Sequence, residues 1–233
     1  MNKKDIYAEK KLGICEDEII NLLPKHPTIR KLEIYYSKIT PDTSNINTDF
    51  SDIEVKLKTF TANWFEEETH IRTWKPRQLL FASEDNPVLK TGIDYKIEYK
   101  TKDGVLLCRY IDEAIPNDAI CYFTERINRN DIDESLCFVR NTLIDWYIVL
   151  QWQLGVTNTN DGFIAWITMP RDFNYRTFMD AEGPPEILRS ALTLHKIYCR
   201  ANDGLIKHLQ KTASDFWQNH VEKHSPPTTR DLC

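Results

Sequence analysis

Asp42 follows a proline, and twelve residues further on stand Glu54, Val55 and Lys56. Two carboxylates at such a separation can hold a hard divalent cation. A lysine two residues past the second carboxylate, on a strand, points to the same side, where it can orient an attacking water or offset the charge of a phosphorane. The run 52–60, DIEVKLKTF, alternates as such a strand would. Ile53, Val55 and Leu57 point one way, and Asp52, Glu54, Lys56 and Lys58 the other. The candidate catalytic residues are therefore Asp42, Glu54 and Lys56, and the candidate metal ligands Asp42, Asp52 and Glu54, with Mg²⁺ or Mn²⁺ as the cation. The same alternation also suits a solvated strand face of mixed charge, which needs no cofactor.

Pro41-Asp42…Glu54-Val55-Lys56 resembles the PD…(D/E)xK pattern of restriction-type nucleases, and Asp52-x-Glu54-x-Lys56 resembles the ExExK strand of triphosphate-tunnel hydrolases. The first resemblance implies phosphodiester hydrolysis on nucleic acid. Arg189 and His195 have the spacing of the Rx5H motif of HEPN ribonucleases, although six residues fall about 120° apart on one helix. His220 and His224 share a helix face and could bind one metal. They also suit a last helical turn, whose negative end favours cations. His70, Arg72, Trp74, Lys75 and Arg77, with Lys96, Glu98 and Lys100, interleave cations with aromatics. That pattern can bind single-stranded nucleic acid, or it can be lysine stems lying over a sheet.

Composition excludes more than it identifies. Among 233 residues there are seven glycines, the closest two at 155 and 162. A GxGxxG, GxxxxGK or GxSxG motif cannot exist, so dinucleotide fingerprints, P-loops and hydrolase elbows are ruled out. The net charge of −5 gives no global attraction to nucleic acid or anionic membrane. Six cysteines form no CxxC, and most have apolar neighbours, as expected of reduced core thiols. The N-terminal residues lack the apolar stretch of a signal peptide, and no run approaches 18 apolar residues. A reducing cytoplasmic compartment, with no membrane partner, is the expectation.

The elements that must position these residues read as follows. Residues 5–23 are helical. Strands are expected at 31–39, 52–60, 94–101, 105–112, 119–126 and 163–169, with 70–82 extended and 40–51 a polar loop. Lys102-Asp103-Gly104 marks a hairpin. A helix apolar nearly all round runs from Asp131 or Asp133 to Leu154, and a helical stripe runs from 184 to 224. This predicts one α+β domain over 1–233, β-rich over 1–130, helix-rich over 131–224 and loose over 225–233. Its mainly antiparallel sheet has about six or seven strands, with a buried central helix and a C-terminal helical layer. No constellation is complete within its own run of sequence, and aromatics are plentiful. The leading functional expectation is a non-enzymatic binding or self-assembly protein, with a protein partner or its own copies and no cofactor. The metal-dependent nuclease or phosphohydrolase, with nucleic acid as partner, is the alternative.

Overall fold

The computed structural model of the chain describes residues 3–24, 28–40, 49–112, 114–138, 141–174, 178 and 186–228. Its centre is a five-stranded mixed sheet in the order β1-β4-β5-β6-β7. These strands are Thr73–Trp74, Tyr95–Tyr99, Lys102–Ile111, Asp161–Thr168 and Thr193–Arg200. β5 and β6 run parallel over eight paired residues, and the other neighbours are antiparallel. Two further short strands, β2 (Phe81–Ala82) and β3 (Lys90–Thr91), form a separate ribbon. The fold is α+β, but the expected six or seven mainly antiparallel strands are corrected to this smaller mixed sheet.

Three expected strands are helices. Residues 31–39 lie in α3 (Thr28–Ile39), 52–60 in α4 (Asp49–Thr69) and 119–126 in α5 (Asn117–Arg129). Helices α1 (Lys3–Lys11) and α2 (Glu16–Leu22) precede them. In α4 the alternation at 53, 55 and 57 is misleading. Leu57, Phe60, Thr61 and Phe65 are buried while Val55 is 47% exposed, so the inward positions step by three and four rather than by two. The stripe over 184–224 is also divided. A short helix α7 (Glu186–Ala191) is followed by strand β7 and then by α8 (Asp203–Phe216). The helix expected from Asp131 or Asp133 to Leu154 is corrected to a shorter one, α6 (Thr142–Thr157), preceded by a 3-10 turn at Glu134–Phe138 and capped by the Asn141 side chain on Leu143 N–H. It is buried along nearly its whole length.

Both faces of the sheet are covered, which explains why β5 and β6 are apolar on both sides. Val105, Leu107, Ile164, Trp166 and Ile197 pack with α6 and α8 in one cluster. Leu106, Cys108, Phe163 and Ala165 pack with Ala62 and Phe65 of α4 in another. The β4–β5 hairpin exists, but its turn is Lys100–Thr101, with φ of 49° and 65°. Asp103 and Gly104 lie inside β5 instead. A Cβ on Gly104 would stand 2.6 Å from the Asp161 carbonyl oxygen, so glycine there serves strand packing rather than the turn.

Gly13 breaks the expected 5–23 helix into α1 and α2, because the chain there runs against the segment before β3. Ile14 N–H donates to Val88 O (2.7 Å), and a Cβ on Gly13 would meet that same oxygen at 2.4 Å. Gly13→Ala should therefore cost about 1–3 kcal/mol through forced backbone displacement, read as a lower urea midpoint at unchanged slope. A variant as stable as wild type would disprove the close approach.

Candidate active site at the strand fork

β4 begins at Tyr95, opposite Leu106, while β5 continues beside β6 to Ile111. The hairpin therefore forks at residue 107, and β5 beyond it has an open edge on the β4 side. Asp94 stands at this fork. Its Oδ2 accepts the Cys108 N–H and an Arg109 Nη1–H, each at 3.0 Å. From α4, Lys58 Nζ reaches Asp94 Oδ1 at 2.9 Å and Glu54 Oε1 at 2.7 Å. The two carboxylate oxygens are thus no farther apart than those two contacts laid end to end.

The sequence builds this convergence in two ways. The buried residues of α4 hold that helix across the sheet, and the Tyr95 hydroxyl donates to Thr59 Oγ1 at 2.9 Å, tying α4 to the start of β4. The segment leading to Asp94 is fixed from the other side. Gly92 N–H donates to Glu16 Oε2 (2.9 Å), and its carbonyl accepts Gln153 Nε2–H (2.8 Å). Two residues earlier, the Lys90 carbonyl accepts the Trp152 indole N–H at 2.8 Å.

The cluster is partly dry. Side-chain exposure is 13% for Asp94 and 23% for Lys58, rising to 48% for Glu54. Burial works against the charge on Lys58, but the attraction of Asp94 and the hydrogen bonds to both carboxylates outweigh it, so its pKa is raised. Burial, reinforced by Glu54, raises the Tyr110 phenol as well. The Cys108 thiol is pushed well above its ordinary range by complete burial, which removes it as a nucleophile.

Glu54 is the sequence-derived candidate found in this cluster. Lys56, two residues along a helix rather than a strand, is turned about 200° from it. Its Nζ lies 5.6 Å from the centre of the Phe178 ring. Lys58, one helical turn after Glu54, is the lysine that meets it instead. Asp52 is exposed on α4, and Asp42 lies outside the described residues. Asp94 and Arg109 were not singled out from the sequence. Their signal was an acid just before one hairpin strand and a cation near the end of the other, which depends on the correct turn. The remaining constellations meet other partners. Arg189 pairs with Glu67 at 2.7 Å, and His195 stacks on Trp166 with centroids 5.0 Å apart. His220 Nδ1 lies 3.0 Å from the Ser225 carbonyl, and His224 is past the helical turn with a φ of 51°.

Among the described residues no group of three or more His, Cys, Asp or Glu side chains could hold a metal. The fork offers two oxygen carboxylates and the Cys108 carbonyl, which accepts from Arg109 at 2.9 Å. This donor set fits Mg²⁺ or Mn²⁺ rather than a closed zinc or calcium cage, since Mg²⁺ binds through one or two carboxylates and keeps several waters. Among the described residues no helix is long and apolar enough to cross a membrane.

No family model matches the chain, and no curated protein matches it. Solved structures do. An alkaline exonuclease from Laribacter hongkongensis aligns over 96% of this chain and 94% of its own, with a TM-score of 0.56 at 12% identity. The same exonuclease in complex with dAMP aligns equally well. A phage-related exonuclease from Haemophilus somnus 129PT aligns over 85% of this chain and 82% of its own, with a TM-score of 0.53 at 10% identity. At these identities the fold is what is shared. The expectation of a non-enzymatic binding or self-assembly protein is corrected by this finding, because the chain has the fold of two exonucleases, with charged side chains converging where its hairpin forks.

Proposed function

We propose that the chain is a divalent-metal-dependent nuclease, hydrolysing phosphodiester bonds in nucleic acid at the Asp94 fork. The observation that carries this is the convergence of Glu54, Asp94, Lys58 and Arg109 at the open edge of β5, at the carboxyl ends of a parallel strand pair. Open sheets with parallel strands place ligands at such ends. The shared exonuclease fold supports the reading. Asp94 and Glu54 would hold Mg²⁺ or Mn²⁺, which supplies Lewis acidity toward the phosphate and a more acidic water. Asp42 is the sequence-derived candidate for a further ligand, whereas Asp52, like Lys56, is turned about 200° from Glu54 on α4. Lys58, freed from its two carboxylates by a cation, can orient the attacking water or meet the charge that develops on phosphorus. Arg109 presents a fork of N–H donors suited to a phosphate.

The test is cleavage of labelled single-stranded and duplex DNA with Mg²⁺, with Mn²⁺ and with EDTA, for the wild type and Glu54→Gln. Glu54 is exposed enough that the fold should survive, and cleavage should fall about a hundredfold. Cleavage that ignores EDTA, or a Glu54→Gln protein as fast as wild type, would sink the metal-dependent reading.

A further inference from the structure

The chain carries a net charge of −5, and many described cations are neutralised internally. Lys10, Lys38, Lys90, Arg109, Arg189 and Lys196 each meet a carboxylate. The edge of the sheet at β1 and the adjoining hairpin tip are different. Arg72, Lys75 and Arg77 near the edge, and Lys102 at the tip where β5 begins, are exposed, and among the described residues none of them meets a carboxylate or an aromatic ring. Glu98 and Asp103 face each other across the hairpin and pair with none of them.

Trp74 stands among these cations on the edge strand. It is half-buried and is the one tryptophan of six outside the three apolar clusters. Two lysines of β4 and its turn are used differently. Lys96 lies over the Phe81 ring at 5.4 Å and Lys100 over Tyr99 at 4.9 Å. Those two are the packed stems the sequence allowed, while the four unpaired cations and Trp74 are left for something outside the chain.

The edge has a direction. β1 is antiparallel to β4, with Trp74 opposite Lys96, so the chain through Lys75 and Arg77 leaves toward Asp94. Lys102, paired with Tyr99, marks the far end at the hairpin tip. From there to Asp94 is five strand residues, about 17 Å, or about five nucleotides of a stacked strand.

We infer that the β4–β5 hairpin tip and the β1 edge together form a track for single-stranded nucleic acid, with phosphates on Lys102 at the tip and on Arg72, Lys75 and Arg77 along the edge and a base stacked on Trp74, delivering the strand to the Asp94 fork. An indole can stack only on a base released from its pair, and cations beside stacking aromatics are how single strands are held without sequence preference. Delivery to the fork rests on the nuclease reading, whereas binding along the edge does not.

Fluorescence anisotropy of a labelled single-stranded DNA oligonucleotide, in EDTA across a salt series, separates the two. The exposed variant Arg72→Glu/Lys75→Glu/Arg77→Glu should bind at least tenfold more weakly. Its slope of log affinity against log salt should be shallower by about 2, at roughly 0.7 per lost phosphate contact. Trp74→Ala should weaken binding about fivefold or more with the slope unchanged. Lys207→Glu on α8 should bind as wild type. Edge variants that bind as wild type overturn the track, even if DNA is still cleaved at the fork. Lost binding in a protein that never cleaves DNA leaves the track standing and removes the nuclease reading. Preference for duplex together with an indifferent Trp74, or a wild type that binds no DNA, overturns the track as well.

Discussion

Asp94→Ala should lower metal-dependent cleavage by about a thousandfold and destabilise the fold by about 2 kcal/mol. Both effects follow from one carboxylate. One of its oxygens meets Lys58, and the other accepts the Cys108 N–H and Arg109 Nη1–H. Alanine leaves Lys58 with Glu54 alone, leaves Arg109 without its carboxylate, and leaves a backbone N–H unpaired at the fork. The groups are less than a quarter exposed, so water compensates only in part. Asp94→Asn separates the two effects. Its amide oxygen can still accept from Cys108, so about half of the stability should return, while cleavage stays lost for want of a charged ligand. The pH dependence has a definite sign. Because Asp94 raises the Lys58 pKa, the stability Lys58 lends is complete below the ordinary lysine value of 10.5 and is lost as pH climbs through the raised folded value. In Asp94→Ala that alkaline decline should flatten. Cleavage rates and urea titrations at pH 8 and near pH 11 check these outcomes, and an Asp94→Asn protein with full metal-dependent activity would exclude Asp94 as a ligand.

Of the charged cluster at the fork the sequence pointed to one member. Glu54 was expected beside Asp42, Asp52 and Lys56; it is found against Lys58, which also meets Asp94. The misplaced step was the period. Ile53 and Leu57 are inward on a helix as well as on a strand, and the exposure of Val55 together with the burial of Phe60 distinguishes the two. Reading two residues per repeat chose Lys56; reading three to four chooses Lys58. Asp94 was hidden for a related reason. Asp-Gly is a strong turn signal, yet Gly104 is required by the Asp161 carbonyl beside it, and Lys100 and Thr101 make the turn despite lacking glycine's freedom. A turn placed three residues late shifts the register and moves Asp94 away from Cys108 and Arg109. A buried central helix was legible because α6 is apolar all round, but its start was placed at Asp131 or Asp133, whereas the chain makes a separate 3-10 turn at Glu134–Phe138 and α6 begins only at Thr142. The parallel pairing of β5 and β6 has no local signature, since it depends on α5 and α6 bridging the strands in three dimensions.

Trp152→Ala should cost about 3–5 kcal/mol for the lost side chain and its cavity, and about 1–3 kcal/mol more for the Lys90 carbonyl it strands. Against a total stability of about 5–15 kcal/mol for a domain, that is enough to leave much of the protein unfolded at 37 °C. Trp152 is 1% exposed, and its indole N–H, together with the Gln153 amide, ties the central helix to the segment before Asp94. Its neighbours on α6 do parallel work. Gln153 holds the Gly92 carbonyl, and Gln151 donates to the Arg200 carbonyl while accepting the Asn202 N–H. Three consecutive side chains thus tie α6 to the approach to the fork and to the junction of β7 with α8. Trp152→Phe isolates the tie from the packing. Most of the volume remains but the N–H is gone, so stability should fall by about 1–3 kcal/mol. Cleavage should fall several-fold, because small displacements of a positioned ligand are costly. Urea midpoints for the two variants, with cleavage measured on the folded Phe variant, give the answer. A Trp152→Ala protein within 1 kcal/mol of wild type would mean that α6 does not anchor the fork.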